Sequence, residues 1–312
     1  MRFAKLHGLG NSYVYLDLIG QPAPAVDWSQ LARRISDRGF GIGSDGLILL
    51  LPSTQADIRM RMFNADGSEG EMCGNGIRCL ARFAADLGHV RGERVRVETL
   101  AGVLELELTR RNGTVTAVRV DMGPPRFRPA EIPLVLPVVD ANAGPVVNQS
   151  LQVGDETHRF TAVSMGNPHC VIVVDDVDRA PVRTLGPRIE SHPAFPNGVN
   201  VEFVQVLDPA NVRMRVWERG SGETYACGTG ACATAVATSL LHLTGRRVNV
   251  HMLGGTLEIN WAQDGHVYMT GPCEAICEGE LSEEWLRSLT GAVSQARGAA
   301  LGRAADGRLT GG

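Results

Sequence analysis

The residues with the clearest chemical potential are two cysteines at equivalent places in a duplicated segment. Ile58–Cys79 reads IRMRMFNADGSEGEMCGNGIRC, and Val212–Gly230 reads VRMRVWERGSGETYACGTG. An offset of 154 residues aligns the two copies and places Cys73 on Cys227, each at the start of a C-G-x-G sequence. A thiolate can accept a proton and a thiol can donate one, so the pair could serve as base and acid in one reaction.

The surrounding pattern predicts that each thiol lies at the N-terminus of a helix. Each copy passes from a β-rich run through a Gly/Ser turn into C-G-x-G, and apolar residues then recur at helical spacing. The free N–H groups and the positive end of a helix dipole favour a thiolate and can hold a carboxylate. We therefore expect the thiol pKa to be lowered. We also expect a substrate carboxylate to be held by backbone N–H groups of Gly74, Asn75, Gly228 and Thr229.

Two symmetry-related halves would place equivalent groups face to face across their interface. Inverting a carbon that carries a removable hydrogen requires a base on one face and an acid on the other. Cys73 and Cys227 fit this task if one is a thiolate while the other is protonated. The glycine after each thiol would allow the backbone to approach the bound anion closely.

Composition excludes several other classes of protein. The 312-residue chain has 44% hydrophobic and 21% charged residues and a formal net charge of -4, which gives no basic footprint for nucleic acid. The opening residues MRFAKLHGLGNS lack the apolar core of a signal peptide, and no run approaches the ~18 apolar residues of a membrane span. We therefore expect a cytoplasmic protein with no membrane or nucleic-acid partner.

The cysteine and lysine content narrows the chemistry further. Seven cysteines without a C-x-x-C spacing suggest neither a disulfide framework nor a zinc knuckle. Lys5 is the only lysine, which argues against a pyridoxal phosphate enzyme. The GIGSDG loop lacks the Lys-Ser/Thr ending of a phosphate loop, which argues against nucleotide binding. The remaining cysteines are expected to be small buried hydrophobes; they are Cys79, Cys170, Cys232, Cys273 and Cys277.

Secondary-structure patterns extend the repeat to most of the chain. Asp27 is expected to cap a helix that Gly39 stops, and residues 95–108 alternate in strand fashion before an Asn112-Gly113 hairpin turn. Residues 248–261 repeat this layout, and the proline-rich segment 123–145 is the best linker candidate. A final short helix is expected from Ser282, and residues 291–312 are expected to form a loose tail.

Three motifs resemble the diaminopimelate epimerase family over about residues 1–280. They are NADGSE-x3-CGNG-x2-C from Asn64, SMGNPHC from Ser164 and ERGSGET-x2-CGTGAC from Glu218, and the N-terminal HGLGN agrees with them. The resemblance implies an α/β (α+β) fold of two pseudo-symmetric domains, each a mostly antiparallel sheet or barrel around a central helix. It also implies a cofactor-free, metal-free, two-base isomerase that interconverts LL- and meso-diaminopimelate in lysine and peptidoglycan biosynthesis. The implied halves are 1–122 with 273–290, and 123–272.

The resemblance also implies roles for particular residues. Cys73 and Cys227 would be the acid/base pair, and His169 and Glu218 would tune the thiol pKa values. Residues implied to contact the substrate are Asn11, Asn64, Gly74, Asn75, Asn167, Asn200, Glu218, Arg219, Gly228 and Thr229. A homodimer is expected as well. The chain departs from the family pattern at Gly46, where many members have Gln, and at Cys277, where some members have a Tyr that supports dimerisation.

Other functions compete with this interpretation. A racemase of proline or hydroxyproline would be expected to read MCGHG at the first thiol, whereas this chain has Asn75. Isomerase and dehydratase branches of the fold typically lack one or both thiols. A non-enzymatic thiol protein that senses redox state or binds metal is the alternative of a different class, and it would be recognised by bound metal and by thiol counts before and after mild oxidation.

Overall fold

The computed structural model describes residues 1–20, 26–137 and 140–288. The helices in these ranges are α1 (Trp28–Ser36), α2 (Gly74–Asp86), α3 (Val182–Glu190) and α4 (Gly228–Leu240), and residues 283–288 are also helical, with a 3-10 turn at Pro129–Glu131. The first strands are β1 (Arg2–Gly8), β2 (Asn11–Asp17), β3 (Gly46–Leu51), β4 (Ile58–Asn64), β5 (Glu69–Gly70), β6 (Arg94–Thr99), β7 (Gly102–Arg111), β8 (Thr114–Asp121) and β9 (Gln149–Val153). The others are β10 (Glu156–Ser164), β11 (Pro168–Val173), β12 (Asn200–Asp208), β13 (Asn211–Glu218), β14 (Gly222–Glu223), β15 (Arg247–Met252), β16 (Gly255–Trp261), β17 (Val267–Pro272) and β18 (Glu274–Glu280).

The two halves repeat one strand order. In the first half β1 pairs antiparallel with β2, β2 parallel with β3, β3 antiparallel with β4, and β4 parallel with β6, and β6, β7 and β8 form an antiparallel meander. Strands β10 to β17 repeat the same partners and the same directions. The predicted duplicated, mostly antiparallel fold is confirmed.

The halves are joined by direct strand pairing as well as by the connecting chain. Strands β8 and β17 pair antiparallel from Tyr268 opposite Asp121 to Pro272 opposite Ala117. The C-terminal strand β18 returns to the first half and pairs with β1, as β9 pairs with β10 in the second half. The proline-rich connection is not a free linker, because Ile132 and Leu134 are buried in the core of the second half.

One helix lies at the centre of each half. In α2 the apolar residues at helical spacing, including Ile77, Leu80 and Ala84, are fully buried. In α4 nearly every residue is buried, and the run GTGACATAVATSL consists mostly of small side chains that let the sheet approach from all sides. Both helices share one continuous apolar core with strands from both halves, so the sheet positions the two helix N-termini relative to each other.

Local expectations are confirmed in part. Asp27 caps α1, because its side chain accepts a hydrogen bond from the N–H of Gln30, but the helix ends at Ser36 rather than running to Gly39. Residues 95–108 belong to two strands, β6 and β7, because a tight turn pairs Thr99 with Gly102. Residues 283–288 are helical after Ser282, whose hydroxyl accepts from the N–H of Trp285 at 3.2 Å. The expected tail lies outside the described residues.

The thiols other than the duplicated pair follow the expectation with one exception. Cys79, Cys170, Cys232 and Cys273 are buried, as small apolar side chains of the core are. Cys277 is exposed, because it lies on β18, whose side chains are almost all exposed. In the ranges described above, no helix is long and apolar enough to cross a membrane.

Candidate active site

Both duplicated thiols lie at helix N-termini, as their sequences predict. Cys73 is the residue before α2 and Cys227 is the residue before α4, and both have extended backbone angles. Each Sγ accepts a hydrogen bond from the backbone N–H three residues on, Gly76 in one half and Gly230 in the other, at 3.4 Å in both cases. The thiol therefore takes the place that an Asp or Ser side chain takes in an ordinary helix cap.

The N-termini of α2 and α4 meet at their first glycines. A Cβ atom added to Gly228 would lie 4.0 Å from the Cα of Gly74 and 3.1 Å from the Sδ of Met269. A Cβ atom added to Gly74 would lie 2.9 Å from the Cε of the same methionine. Because Met269 packs against both glycines, a larger residue at either position would push the helices apart. The two thiol-bearing caps and their free N–H groups thus converge on one region.

Neutral polar side chains surround Cys73. Its Sγ lies 3.5 Å from Oδ1 of Asn11, and the phenol of Tyr13 also hydrogen-bonds with the thiol. The Asn11 amide is itself held in place, because its Nδ2 donates to Oδ2 of Asp45 at 3.0 Å. That carboxylate also accepts the backbone N–H of Ser12 at 2.7 Å. Asp45, just before β3, thus holds the start of β2 and fixes the amide oxygen of Asn11 beside the Cys73 thiol.

A chain of hydrogen bonds leads away from Cys227. Its Sγ lies 3.6 Å from Oγ1 of Thr229, which accepts from Nδ2 of Asn167 at 3.3 Å. Oδ1 of this asparagine lies 3.0 Å from Nε2 of His169, and the other ring nitrogen lies 2.7 Å from Oε1 of Glu202. His169 and Glu202 are both fully buried. In this structure His169 thus has no direct hydrogen bond to the thiol and is connected to it through Asn167 and Thr229.

Glu218 acts on Cys227 directly. Its carboxylate hydrogen-bonds with the thiol and accepts a hydrogen bond from the hydroxyl of Thr224. Burial raises the pKa of the Glu218 carboxyl above its usual range, and the nearby carboxylate of Glu202 adds to that rise. Cys227 therefore lies against an acidic group for which no counterpart exists beside Cys73, where Asn64 occupies the equivalent position 154 residues earlier.

Asn200, the first residue of β12, lies beside Arg219, which is in the turn after β13. The Asn200 side chain accepts the backbone N–H of Arg219 at 3.0 Å and donates to the carbonyl of Pro168 at 3.0 Å. The Arg219 guanidinium donates to the carbonyl of Asn197 at 2.8 Å and lines an open cavity of about 510 Å³. No other predicted site residue lines that cavity, so it lies on the outer side of Arg219.

Asn64 and Gly46 face each other across the β3–β4 pair. Nδ2 of Asn64 donates to Oγ of Ser68 at 3.0 Å, which fixes the hairpin that precedes the first thiol. A Cβ atom on Gly46 would lie 2.1 Å from the carbonyl oxygen of Phe63. A side chain at this position would therefore require the backbone to move, and Gly46 replaces the family Gln without offering a side-chain contact.

The pKa values of the two thiols differ from the sequence expectation. Burial raises the pKa of Cys73, although hydrogen bonds from the N–H groups of Gly76 and Asn75 oppose the rise. Burial raises the pKa of Cys227 well above its ordinary value, and the carboxylates of Glu218 and Glu202 raise it further. The expectation of a net lowering is wrong, because desolvation of the thiolate, at the half-buried Cys73 and the buried Cys227, outweighs the helix N-terminus.

Sequence reasoning missed four residues that position the predicted ones. Tyr13 and Asp45 act beside Cys73 and Asn11, and Glu202 and Thr224 act beside His169 and Glu218. Two of them carried a signal. Tyr13 precedes His169 by 156 residues, the spacing that also relates Asn11 to Asn167, and Glu202 is a charged residue in an otherwise apolar run of β12. In the residues with described positions, no cluster of three or more His, Cys, Asp or Glu could hold a metal ion.

Solved structures share this fold. A phenazine biosynthesis protein of the PhzF family from Bacillus anthracis superposes with a TM-score of 0.65 at 16% identity, covering 90% of this chain and 99% of that chain. A hydroxyproline epimerase from Agrobacterium vitis has a TM-score of 0.62 at 17% identity, covering 89% of this chain and 91% of that chain. These structures show the duplicated fold that this chain shares, and paired, helix-capping thiols are the groups that a two-base racemase or epimerase requires.

Sequence comparison identifies the family within that class. The diaminopimelate epimerase family model matches residues 3–128 and 161–276. A diaminopimelate epimerase of Pelotomaculum thermopropionicum is 54% identical over 280 residues, which cover 90% of this chain and 98% of the relative. The diaminopimelate epimerase of Heliobacterium modesticaldum is 56% identical over 284 residues, which cover 90% of this chain and 99% of the relative. The chain belongs to the diaminopimelate epimerase family.

Proposed function

We propose that the protein interconverts LL- and meso-diaminopimelate by proton transfer between two thiols, without a cofactor. The observation that carries this proposal is the meeting of two helix N-termini, each capped by a cysteine, at Gly74 and Gly228. Two acid/base groups that converge from symmetry-related halves suit inversion at one carbon. The relatives are named diaminopimelate epimerases, and the resemblance to that family implies that the reaction serves lysine and peptidoglycan synthesis.

The substrate carboxylate would be held at the helix N-termini. The N–H groups of Gly74 and Asn75 and those of Gly228 and Thr229 lie in the first turns of α2 and α4, where backbone donors have no partner within the helix. Fixed N–H donors at a helix N-terminus stabilise a carboxylate, and they stabilise it more as the α-proton leaves and charge spreads onto its oxygens. The two helices thus place their positive ends where charge would develop.

The proton transfer balances over two thiols. One cysteine, as thiolate, removes the α-hydrogen as a proton, and the electron pair of the broken C–H bond moves onto the carbon and its carboxylate. The other cysteine, as thiol, donates its proton to the opposite face, so that a new C–H bond forms with inverted configuration. The first cysteine is then a thiol and the second a thiolate, which is the state required for the reverse reaction.

The surroundings of the thiols assign the starting state. Cys227 lies against Glu218 and near Glu202, so ionising it would place a third negative charge in the same region. Cys73 has amide and phenol neighbours instead, Asn11 and Tyr13. We therefore propose that in the free enzyme Cys73 is the thiol that ionises first and Cys227 is the one that stays protonated.

Wash-in of deuterium from D2O tests the proposed reaction. LL- and meso-diaminopimelate are incubated with the protein in D2O, and α-deuterium is followed by mass spectrometry together with the ratio of stereoisomers. We expect deuterium to enter the product of each direction. Alanine, proline and hydroxyproline serve as comparison substrates, since exchange in proline with none in diaminopimelate would assign the related racemase activity instead.

We also propose the domain division, the assembly and the location of the protein. The division is residues 1–122 with 273–290 against 123–272, and the pairing of β18 with β1 supports it.

A homodimer through β18 is supported by its single described partner strand and by the exposed Ile276, 51% accessible. Light scattering on the purified protein tests the dimer. A cytoplasmic location is proposed because the proton transfer requires Cys73 and Cys227 as reduced thiols, and fractionation of cells would check it.

A further inference from the structure

Arg78 is a buried cation that the proposed proton transfer does not use. It lies in the second turn of α2 and is 0% exposed. Among the described residues it is the largest side chain that is fully buried. In the described part of the chain no Asp or Glu lies within ion-pair distance of its guanidinium. A buried charge is costly unless an opposite charge or several hydrogen bonds compensate it. The question is which anion balances this charge.

The guanidinium contacts the two residues that begin α2. Nη1 donates to the carbonyl of Gly74 at 2.9 Å, and Nη2 donates to Oδ1 of Asn75 at 2.8 Å. Nε lies 3.3 Å from the carbonyl of Pro272 at the end of β17. Arg78 therefore supports Gly74 and Asn75 from the inner side, while the backbone N–H groups of those residues form the free end of the helix.

The space for this side chain is provided by glycines from two other strands. A Cβ atom on Gly8 would lie 2.9 Å from Nη2, and one on Gly271 would lie 3.1 Å from Nε. Three elements, β1, α2 and β17, thus enclose the guanidinium. The equivalent position in the second copy, 154 residues on, is Cys232, so a single cation lies beneath the region where the two helices meet.

We propose that Arg78 is a positioning residue that supplies the fixed positive charge of the carboxylate site at the N-terminus of α2. It holds the Gly74 peptide and the Asn75 side chain in place. The anion that compensates its charge is the one bound on the other side of these two residues, the substrate carboxylate, and in the free enzyme the Cys73 thiolate once this thiol ionises. This inference rests on the proposed function, since that function supplies the carboxylate.

Two readouts separate the role of Arg78 from the epimerase proposal. The first is the pH dependence of Cys73 alkylation by iodoacetamide in the free enzyme, followed by peptide mass spectrometry, which requires no turnover. The second is the dissociation constant of diaminopimelate, measured by calorimetry in a Cys227→Ser background that cannot invert the substrate. If the protein failed the deuterium test, the proposed epimerase activity would be refuted. The pH profile of Cys73 alkylation would still show whether the Arg78 charge stabilises the thiolate.

Arg78→Met removes the charge, and Arg78→Lys keeps it. We expect Arg78→Met to move Cys73 alkylation to higher pH and to weaken diaminopimelate binding at least tenfold, whereas Arg78→Lys recovers most of the affinity. Arg82→Met is the matched control, because Arg82 lies one turn later and donates to the carbonyl of Cys273 at 2.8 Å; binding should change less than twofold. A folded Arg78→Met protein with unchanged alkylation and affinity would overturn the proposal.

A second pair of variants leaves Arg78 in place, in case Arg78→Met does not fold. Cys273 is buried, and its thiol is among the groups that interact electrostatically with Arg78. Cys273→Asp would introduce an internal counter-charge, and Cys273→Asn is its neutral match in size. We expect the Asp variant to bind diaminopimelate at least fivefold more weakly than the Asn variant. Equal affinity of the two folded variants would contradict a role for the unbalanced charge.

Discussion

Ile48 and Glu202 occupy equivalent places behind the two thiol loops. An offset of 154 residues relates them, and the two strand pairs that contain them place Tyr15 beside Ile48 and Val171 beside Glu202. A Cβ atom on Gly76 would lie 2.6 Å from Cδ1 of Ile48, while one on Gly230 would lie 2.8 Å from Oε1 of Glu202. The duplication thus preserves geometry and changes charge: an aliphatic group lies behind one thiol and a carboxylate behind the other.

This difference predicts unequal reactivity of the two thiols. Burial raises both thiol pKa values, but only Cys227 also faces Glu218 and Glu202, so Cys73 should ionise at lower pH. We expect iodoacetamide to modify Cys73 before Cys227 as the pH is raised, as quantified by peptide mass spectrometry. In Glu218→Gln, the loss of a negative charge should move Cys227 modification to lower pH and leave Cys73 unchanged. Preferential modification of Cys227 in the parent would refute the assignment.

The same pKa shifts predict the pH dependence of activity. Because the base must be a thiolate and burial raises the Cys73 pKa, kcat/KM should rise with pH and reach half its maximum above the free-cysteine pKa of about 8.5. It should fall again only where Cys227 loses its proton, at higher pH, because the Cys227 pKa is raised further. A profile that is already flat at neutral pH would show that the thiolate forms more easily than the structure indicates.

Both thiols should be required for inversion. Cys73→Ala and Cys227→Ala each remove one of the two proton carriers, and a positioned acid or base contributes roughly 10²–10⁴-fold to a rate, so each variant should lose at least that much epimerisation. Cys79→Ala is the matched control, because Cys79 lies on the same helix and is fully buried in the core. It should keep the activity of the parent within a few-fold, at some cost in stability. Full activity in either of the first two variants would exclude the two-thiol mechanism.

Convergence of the two caps also predicts sensitivity to oxidation. Thiols that approach one carbon from opposite sides can form a Cys73–Cys227 disulfide once the site closes without substrate. Activity should fall with a mild oxidant, return with dithiothreitol, and be protected by diaminopimelate. Peptide mapping of the inactive protein should find this pairing, and the Cys227→Ala variant should show no such cross-link. Inactivation accompanied only by other pairings, such as one through the exposed Cys277, would contradict it.

The sequence predicted what depends on local pattern and on the repeat. The duplicated halves and the helix-capping thiols follow from the C-G-x-G sequences and the apolar spacing after them. The upward shift of the thiol pKa could not be predicted from the sequence, because it depends on burial that only the tertiary structure determines. The same holds for the route from His169 to Cys227, since Asn167, in the turn before β11, and Glu202, on β12, are distant in sequence from the helix that carries Thr229. The close approach of the Phe63 carbonyl to Gly46 could likewise not be predicted from the sequence.

Buried thiols should make the fold sensitive to alkaline pH. Burial raises the pKa of Cys79 and of Cys232 from 9.0 to about 12. Their contribution to stability is therefore fully present below about pH 9 and is lost as the pH rises towards 12, because the unfolded chain releases these protons first. Each thiol should lower the free energy of unfolding by about 1.4 kcal/mol per pH unit in that range. Urea titrations of the parent and of Cys232→Ala at pH 9 to 11 should differ in this slope by that amount, and equal slopes would refute it.

Specificity for a substrate with two polar ends should depend on Arg219. Arg219 is exposed, Asn200 accepts its backbone N–H, and its guanidinium donates to the carbonyl of Asn197. We propose that it binds the distal carboxylate of diaminopimelate. A substrate without that group would leave polar groups of the site unpaired, at roughly 1–3 kcal/mol each. Alanine and proline should therefore not be turned over.

The matched test compares Arg219 with Arg213, which lies on the preceding strand, β13. Arg219→Ala should cost at least about 2 kcal/mol in transition-state stabilisation, roughly a thirtyfold loss in kcat/KM for diaminopimelate. Arg213→Ala should leave kcat/KM unchanged, because Arg213 forms a bidentate surface ion pair with Asp178 at 2.8 and 2.7 Å. Racemisation of proline or alanine at comparable rates, with little response to Arg219→Ala, would mean that the fold holds the two thiols as described but selects a different substrate.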